Sequence, residues 1–94
     1  MTDAFRALAD TTRRAILDLL RGGSRTSGEI AEQFDSSWPT ISRHLSVLRE
    51  AGLINAEKDG QFMRYELATT VFQDVLQKLT AWTHTQSVEA TEDA

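Results

Sequence analysis

WPTISRHLSVLREAGLI, residues Trp38 to Ile54, is the stretch from which the rest of the chain can be understood. Ile41, Leu45 and Leu48 fall at i, i+4 and i+7, the spacing of one helix face. With Ile41 and Leu48 taken as the inner side, at about 100° per residue, the opposite side carries Thr40, Arg43, Ser46, Val47 and Glu50. Ser36 and Ser37 precede the helix and are expected to cap its free N–H groups. Pro39 suits the first turn, where its missing N–H costs nothing. Gly52 supplies the left-handed residue that ends the helix. The product is a short rod anchored from below, with small polar groups and a guanidinium above. A helix that reads base edges in the major groove needs that design. Any amphipathic surface helix also has polar residues outside, so the context must discriminate.

Ninety-four residues make one domain with one modest core, and dimerisation would add to its stability. Apolar residues are 40% and charged residues 26%, as in an ordinary globular protein. No apolar run approaches the roughly 20 residues of a membrane span. The N-terminal MTDAFRALAD lacks the features of a signal peptide. Cysteine is absent, which excludes disulfides, thiolate metal sites and thiol redox sensing. A cytoplasmic location is expected.

The net charge of −4 argues against a nucleic-acid partner, but its distribution matters more than its total. Three acids and no base lie in the last six residues, EATEDA. From Ser36 to Arg49 there are two arginines, one histidine and no acid. Arg13, Arg14, Arg43, Arg49, Lys58 and Arg64 are expected to share a face, diluted by Glu50, Glu57 and Asp59. Affinity for DNA should therefore be moderate and sensitive to salt.

Before the central stretch, Thr2 to Leu8 forms a short helix with Phe5 and Leu8 on one side. Asp10 caps a second helix, Thr11 to Arg21, with Ala15, Ile16, Leu19 and Leu20 facing the core and Gly22-Gly23 stopping it. Thr26-Ser-Gly-Glu29 is a capping box for a third helix, whose apolar side is Ile30, Ala31 and Phe34. Asp35 to Ser37 is a tight turn. Helix, turn and serine-led helix make a helix-turn-helix.

After Gly52, Leu53 to Glu57 and Gln61 to Leu67 read as short strands around Lys58-Asp59-Gly60, a strong hairpin signal. Neither face of the second strand is uniformly polar. The hairpin must pack on the helices, because two strands cannot stand alone. It reads as the wing of a winged helix, with Lys58 and Arg64 available to phosphate and Gly60 allowing close approach. The alternative is an ordinary polar hairpin.

Thr70-Val-Phe-Gln73 is a further capping box, opening a last helix that ends near Thr85. Residues 1–86 form the DNA-binding and dimerisation domain, and 87–94 an acidic, disordered tail. The stripe Val71, Phe72, Val75, Leu76, Leu79 and Trp82 is too wide for the rim of so small a core. With Phe5 and Leu8 it leaves an apolar patch that a two-fold homodimer would cover. Phe5, Leu8, Phe72, Leu76, Leu79 and Trp82 are therefore the expected interface, with Trp82 its anchor. A purely intramolecular Trp82 is the alternative.

No catalytic constellation is present. The histidines are His44, at the edge of the central helix, and His84, near the end of the last helix, where the helix dipole favours a cation. No metal or cofactor site is expected, and no enzymatic activity.

ALADTTRRAILDLL (Ala7 to Leu20), GEIAEQFDSSWPTISRHLSVLREAGLI (Gly28 to Ile54) and FMRYEL (Phe62 to Leu67) together resemble ArsR-type winged-helix repressors. The resemblance runs from about Phe5 to Trp82, and SRHLSVLREAGLI is its most specific part. It implies a homodimer joined through its first and last helices that binds an inverted-repeat operator in double-stranded DNA and blocks transcription. Carried over by position, the base-reading residues are Ser36, Ser37, Thr40, Ser42, Arg43 and His44; the wing residues lie near Lys58 to Arg64. Thr11 stands where the family usually has proline. The metal sensors of the family often carry Cys-x-Cys before the recognition helix, and Thr26 and Gly28 occupy those positions. Asp74 and His84 are the only remnants of its second metal site. The chain therefore resembles the branch without metal sensing. The competing readings are a metal- or ligand-responsive sensor with an atypical site and a winged-helix protein-interaction module. Release from DNA would depend on protein level, on an unknown regulatory protein, or on nothing.

Overall fold

A computed structural model describes residues 4–93, and their side chains through residue 83. The elements run α1 (Ala4–Ala7), α2 (Thr11–Leu20), β1 (Arg25–Thr26), α3 (Ser27–Glu32), α4 (Trp38–Glu50), β2 (Ile54–Asp59), β3 (Phe62–Leu67) and α5 (Thr69–Asp93). This is a winged helix-turn-helix, with α3 and α4 as the helix pair and β2–β3 as the wing. Among the described residues, no helix is long and apolar enough to cross a membrane.

The core lies beneath α4. Ile41, Leu45 and Leu48 are buried there with Ile16, Leu17 and Leu20 of α2, Ile30 of α3, and Leu53 and Ile54. The inner face of α2 is shifted from the expected one. Leu17 is buried, Leu19 only partly packed, and Ala15 exposed. Ile16, Leu17 and Leu20 make the larger apolar surface on neighbouring positions, and exposing the single methyl of Ala15 costs little.

Local caps set most helix boundaries. The Asp10 carboxylate accepts from the Arg13 backbone N–H at 3.0 Å. In the capping box of α3, Thr26 Oγ1 accepts from Glu29 N–H and Glu29 Oε1 accepts from Thr26 N–H, at 3.2 and 2.8 Å. The Thr26 backbone N–H, ahead of the Thr26 hydroxyl, holds the Glu29 carboxyl below its ordinary pKa. At the end of α4, Gly52 has φ +77°, and the Gly52 and Leu53 N–H groups return to the Arg49 and Leu48 carbonyls. This paired pattern satisfies the last carbonyls and turns the chain directly into β2.

The sheet has three antiparallel strands, in the order β1-β3-β2, where the sequence suggested two. Arg25 pairs with Tyr65 and Thr26 with Arg64. A two-residue strand has no periodicity to recognise, yet it supports the root of the wing. The first strand of the hairpin also runs two residues further than expected, to Asp59, and the second starts one residue later, at Phe62. Asp59 pairs with Phe62, so the turn is Gly60-Gln61, with φ +64° at Gly60 alone. Glycine at the first central position suits a turn of type II′.

The pairing gives the wing two distinct faces. Ile54, Ala56, Tyr65 and Leu67 face the helices, while Asn55, Glu57, Asp59, Phe62, Arg64 and Glu66 share the other face. Ala68 connects sheet to helix. Its N–H donates to the Leu53 carbonyl, and its own carbonyl accepts from Phe72 N–H. Helix α5 therefore starts one residue before the capping box expected at Thr70–Gln73. It also continues through Asp93 instead of ending near Thr85, into the 87–94 stretch expected as a separate tail. No glycine or proline interrupts residues 69–93. The first helix ends at Ala7, one residue before the expected Leu8, and its expected start at Thr2 lies outside the described residues.

Candidate nucleic-acid interface

Helix α4 has a fully buried underside and an open upper face. Thr40, Arg43, Ser46 and Glu50 are exposed along it, preceded by Ser36 and Ser37. Ser37 occupies the N-cap position, but its hydroxyl makes no cap bond. It pairs instead with Thr40 Oγ1 at 3.0 Å. The expected serine cap is absent because this hydroxyl pair forms on the outer side. Side chains therefore do not occupy the N–H groups of the first turn, which face outward with the positive end of the helix dipole.

Among the described residues, Arg43 makes no side-chain hydrogen bond or ion pair. Its guanidinium is fully available to acceptors outside the chain. Ser42 and His44 sit on the flanks and are half-buried. The two flanks differ from the centre because each lies about 100° from Arg43 around the helix.

His44 belongs to a knot beneath the helix. Arg13 Nη1 lies 3.3 Å from His44 Nδ1. A guanidinium can only donate, so Nδ1 is the acceptor in this contact. Nε2 faces Asp10 Oδ1 at 3.9 Å. Arg13 Nε and Nη2 donate to the Ala7 and Arg6 carbonyls at 2.7 and 3.3 Å. The Arg13 backbone N–H, ahead of His44 and the Arg13 charge, holds the Asp10 carboxyl below its ordinary pKa. Arg13 thus joins the end of α1 to the start of α2 and the side of α4. Arg13→Ala should destabilise the fold by about 1–3 kcal/mol, since it leaves carbonyls and an imidazole unpaired. The salt dependence of DNA binding should stay unchanged. Urea unfolding and salt titration of DNA binding check this. Intact stability with a salt slope reduced by about one would return Arg13 to the phosphates.

The other expected phosphate ligands divide similarly. Arg14 donates to the Leu8 carbonyl at 2.8 Å. Arg64 donates to Asp59 Oδ2 at 2.9 Å and to Ser24 Oγ at 3.2 Å. Lys58 and Gly60 remain exposed at the wing tip. The sequence also missed two exposed aromatics, Trp38 at 48% and Phe62 at 58%. By periodicity Trp38 lies about 60° from Ile41, on the inner side. It is open because the first turn of α4 projects past the core.

The rings of Phe5 in α1 and Trp82 in α5 stack with centroids 5.9 Å apart. Leu76, Leu79 and Trp82 are exposed, whereas Leu8 and Phe72 pack partly on the core. Among the described residues, no three His, Cys, Asp or Glu side chains group as a metal site. Asp74 is exposed, and the His84 side chain lies outside the described residues. Thr26 is engaged in its capping box.

Residues 10–56 match the profile of bacterial regulatory proteins of the arsR family. The chain is 53% identical over 74 residues to the transcriptional repressor SdpR of Bacillus subtilis (strain 168), covering 79% of this chain and 82% of that protein. It is 40% identical over 72 residues to the probable mercury resistance operon repressor of Streptomyces lividans, covering 77% and 58%. Its fold matches, with a TM-score of 0.69 and 31% identity, a homodimeric winged helix-turn-helix DNA-binding domain from Mycobacterium bovis, a possible ArsR-family regulator. The match covers 86% of this chain and 77% of that one.

Proposed function

The chain belongs to the arsR family of bacterial regulatory proteins, which are DNA-binding regulators and not enzymes, and we propose that it is a homodimeric repressor reading an inverted-repeat operator without sensing a metal. The observation that carries this reading is the open Arg43 and Thr40 above Ile41, Leu45 and Leu48, which fix the helix from below. Arg43 takes base acceptors in the major groove, assisted by the hydroxyls of Ser36, Ser37 and Thr40. Ser42 serves from the flank, and His44 orients the helix through Arg13. Lys58 and the α4 N-terminus supply phosphate contacts. Phe5, Leu76, Leu79 and Trp82 meet their counterparts in a second copy, as the homodimeric Mycobacterium bovis domain suggests. The relationship to SdpR supports repression. The threonine and glycine at the thiolate positions support a regulator that responds to no metal. Such a protein acts in the cytoplasm, and its release follows protein level or an unidentified regulatory protein.

The test is selection of binding sites from a random duplex library at near-physiological salt, with and without divalent metals. A two-fold inverted repeat with half-sites about one helical turn apart is expected. Recovery of no motif would favour a protein-interaction module. Release on metal addition would favour a sensor.

A further inference from the structure

Phe62 is out of place by the ordinary rules of a small domain. The pairing of β2 with β3 puts it on the outer face of the wing, beside Asp59 and Arg64, while Tyr65 and Leu67 face the core. Its ring is 58% exposed at the very tip, next to the Gly60-Gln61 turn. An isolated exposed apolar side chain is unremarkable by itself. Here, however, the surrounding tip cannot attract DNA through charge alone. Asp59 neutralises Arg64, and Glu57 lies on the same face directly across from Arg64. Meanwhile the ribbon is braced. Strand β1 pairs with β3 at Tyr65 and Arg64, and Arg64 bonds back to Ser24 across forty residues of sequence. A stiff ribbon with a weakly charged tip and an apolar ring at its end is suited to entering a groove, where shape and desolvation replace charge.

We propose that Phe62 is an apolar wedge, entering the DNA minor groove beside each half-site and partly unstacking a base step there. The proposal rests on the DNA-reading function above. Proteins that work in the minor groove insert apolar side chains between base steps, and amide side chains read the groove floor. Gln61, exposed at the turn beside Phe62, has the amide donor that adenine N3 and thymine O2 accept. The preferred flank is a flexible pyrimidine–purine step, most easily opened when it is T·A. Phe62 would thereby confer sequence preference outside the bases reached by α4.

The test uses the full chain and the selected operator duplex, with 2-aminopurine placed at the flanking steps. Wild type, Phe62→Ala and Phe62→Leu are compared for affinity, salt dependence and probe fluorescence, and circular dichroism checks the fold of each. Wild type should raise the fluorescence on binding. Phe62→Ala should bind about tenfold more weakly with no fluorescence rise and an unchanged salt slope, because no phosphate contact is lost. Phe62→Leu keeps the apolar volume and should retain most of both signals. If Phe62→Ala keeps wild-type affinity, or loses affinity with the fluorescence rise intact, the wedge is wrong while DNA reading stands. A wild type that binds no duplex overturns both.

Discussion

Arg43→Ala is expected to weaken operator binding by about 1–3 kcal/mol, roughly fivefold to more than a hundredfold, and to weaken binding to random duplex by much less. The asymmetry follows from where the side chain sits. Arg43 is exposed at the middle of the open face of α4, and no described side chain engages it. Directly below, Ile41 and Leu48 are completely buried and Leu45 nearly so. The helix therefore cannot roll to bring another cation into its place. A guanidinium offers two parallel donors to guanine O6 and N7, a geometry that a phosphate does not require. Fluorescence anisotropy on the selected operator and on a scrambled duplex measures the difference. Equal losses on the two would make Arg43 a phosphate contact and would move base reading to Thr40 and the serines.

The second large effect is expected at the other end of the molecule. Trp82→Ala should shift sedimentation from dimer toward monomer, with a cost of about 2–4 kcal/mol in association, and operator binding should fall with it. Trp82 is 58% exposed in the single chain, and Leu76 is 62% exposed on the same helix. Its ring is already braced against Phe5. Stacking fixes the tryptophan in place before any partner arrives, so less conformational entropy is lost on association. Two α4 helices must also be held about 34 Å apart to enter successive major grooves, so a monomer forfeits half of the contacts. A variant that remains fully dimeric would make Phe5–Trp82 a contact that only fastens α1 to α5 within one chain.

The helix-turn-helix was legible because its information is local. Asp10, the Thr26–Glu29 pair and Gly52 act within a few residues of themselves, and each does in the structure what its chemistry dictates. Ile41, Leu45 and Leu48 repeat at helical spacing and are buried together. The same local logic was less reliable at the helix ends. The Ser37 hydroxyl had two possible partners, a backbone N–H and Thr40 Oγ1, and took the latter. Trp38 lay on the apolar side by periodicity but beyond the edge of the core. The start of α5 was settled by the Leu53–Ala68 bond, which no pattern around Thr70 contains.

The charged residues were harder still. A list of arginines does not say which already have acceptors. Arg13 finds the carbonyls of Arg6 and Ala7, Arg64 finds Asp59 and Ser24, and Arg43 finds none among the described residues. Fold class, the order of its helices and the identity of the reading helix follow from periodicity and capping, interactions that span one or two turns of chain. The third strand, the outer position of Phe62 and the sorting of arginines into structural and available ones depend on residues far apart in sequence. Their partners are chosen by the packing of the whole domain, because a long cationic side chain takes whichever acceptors the fold brings within its reach.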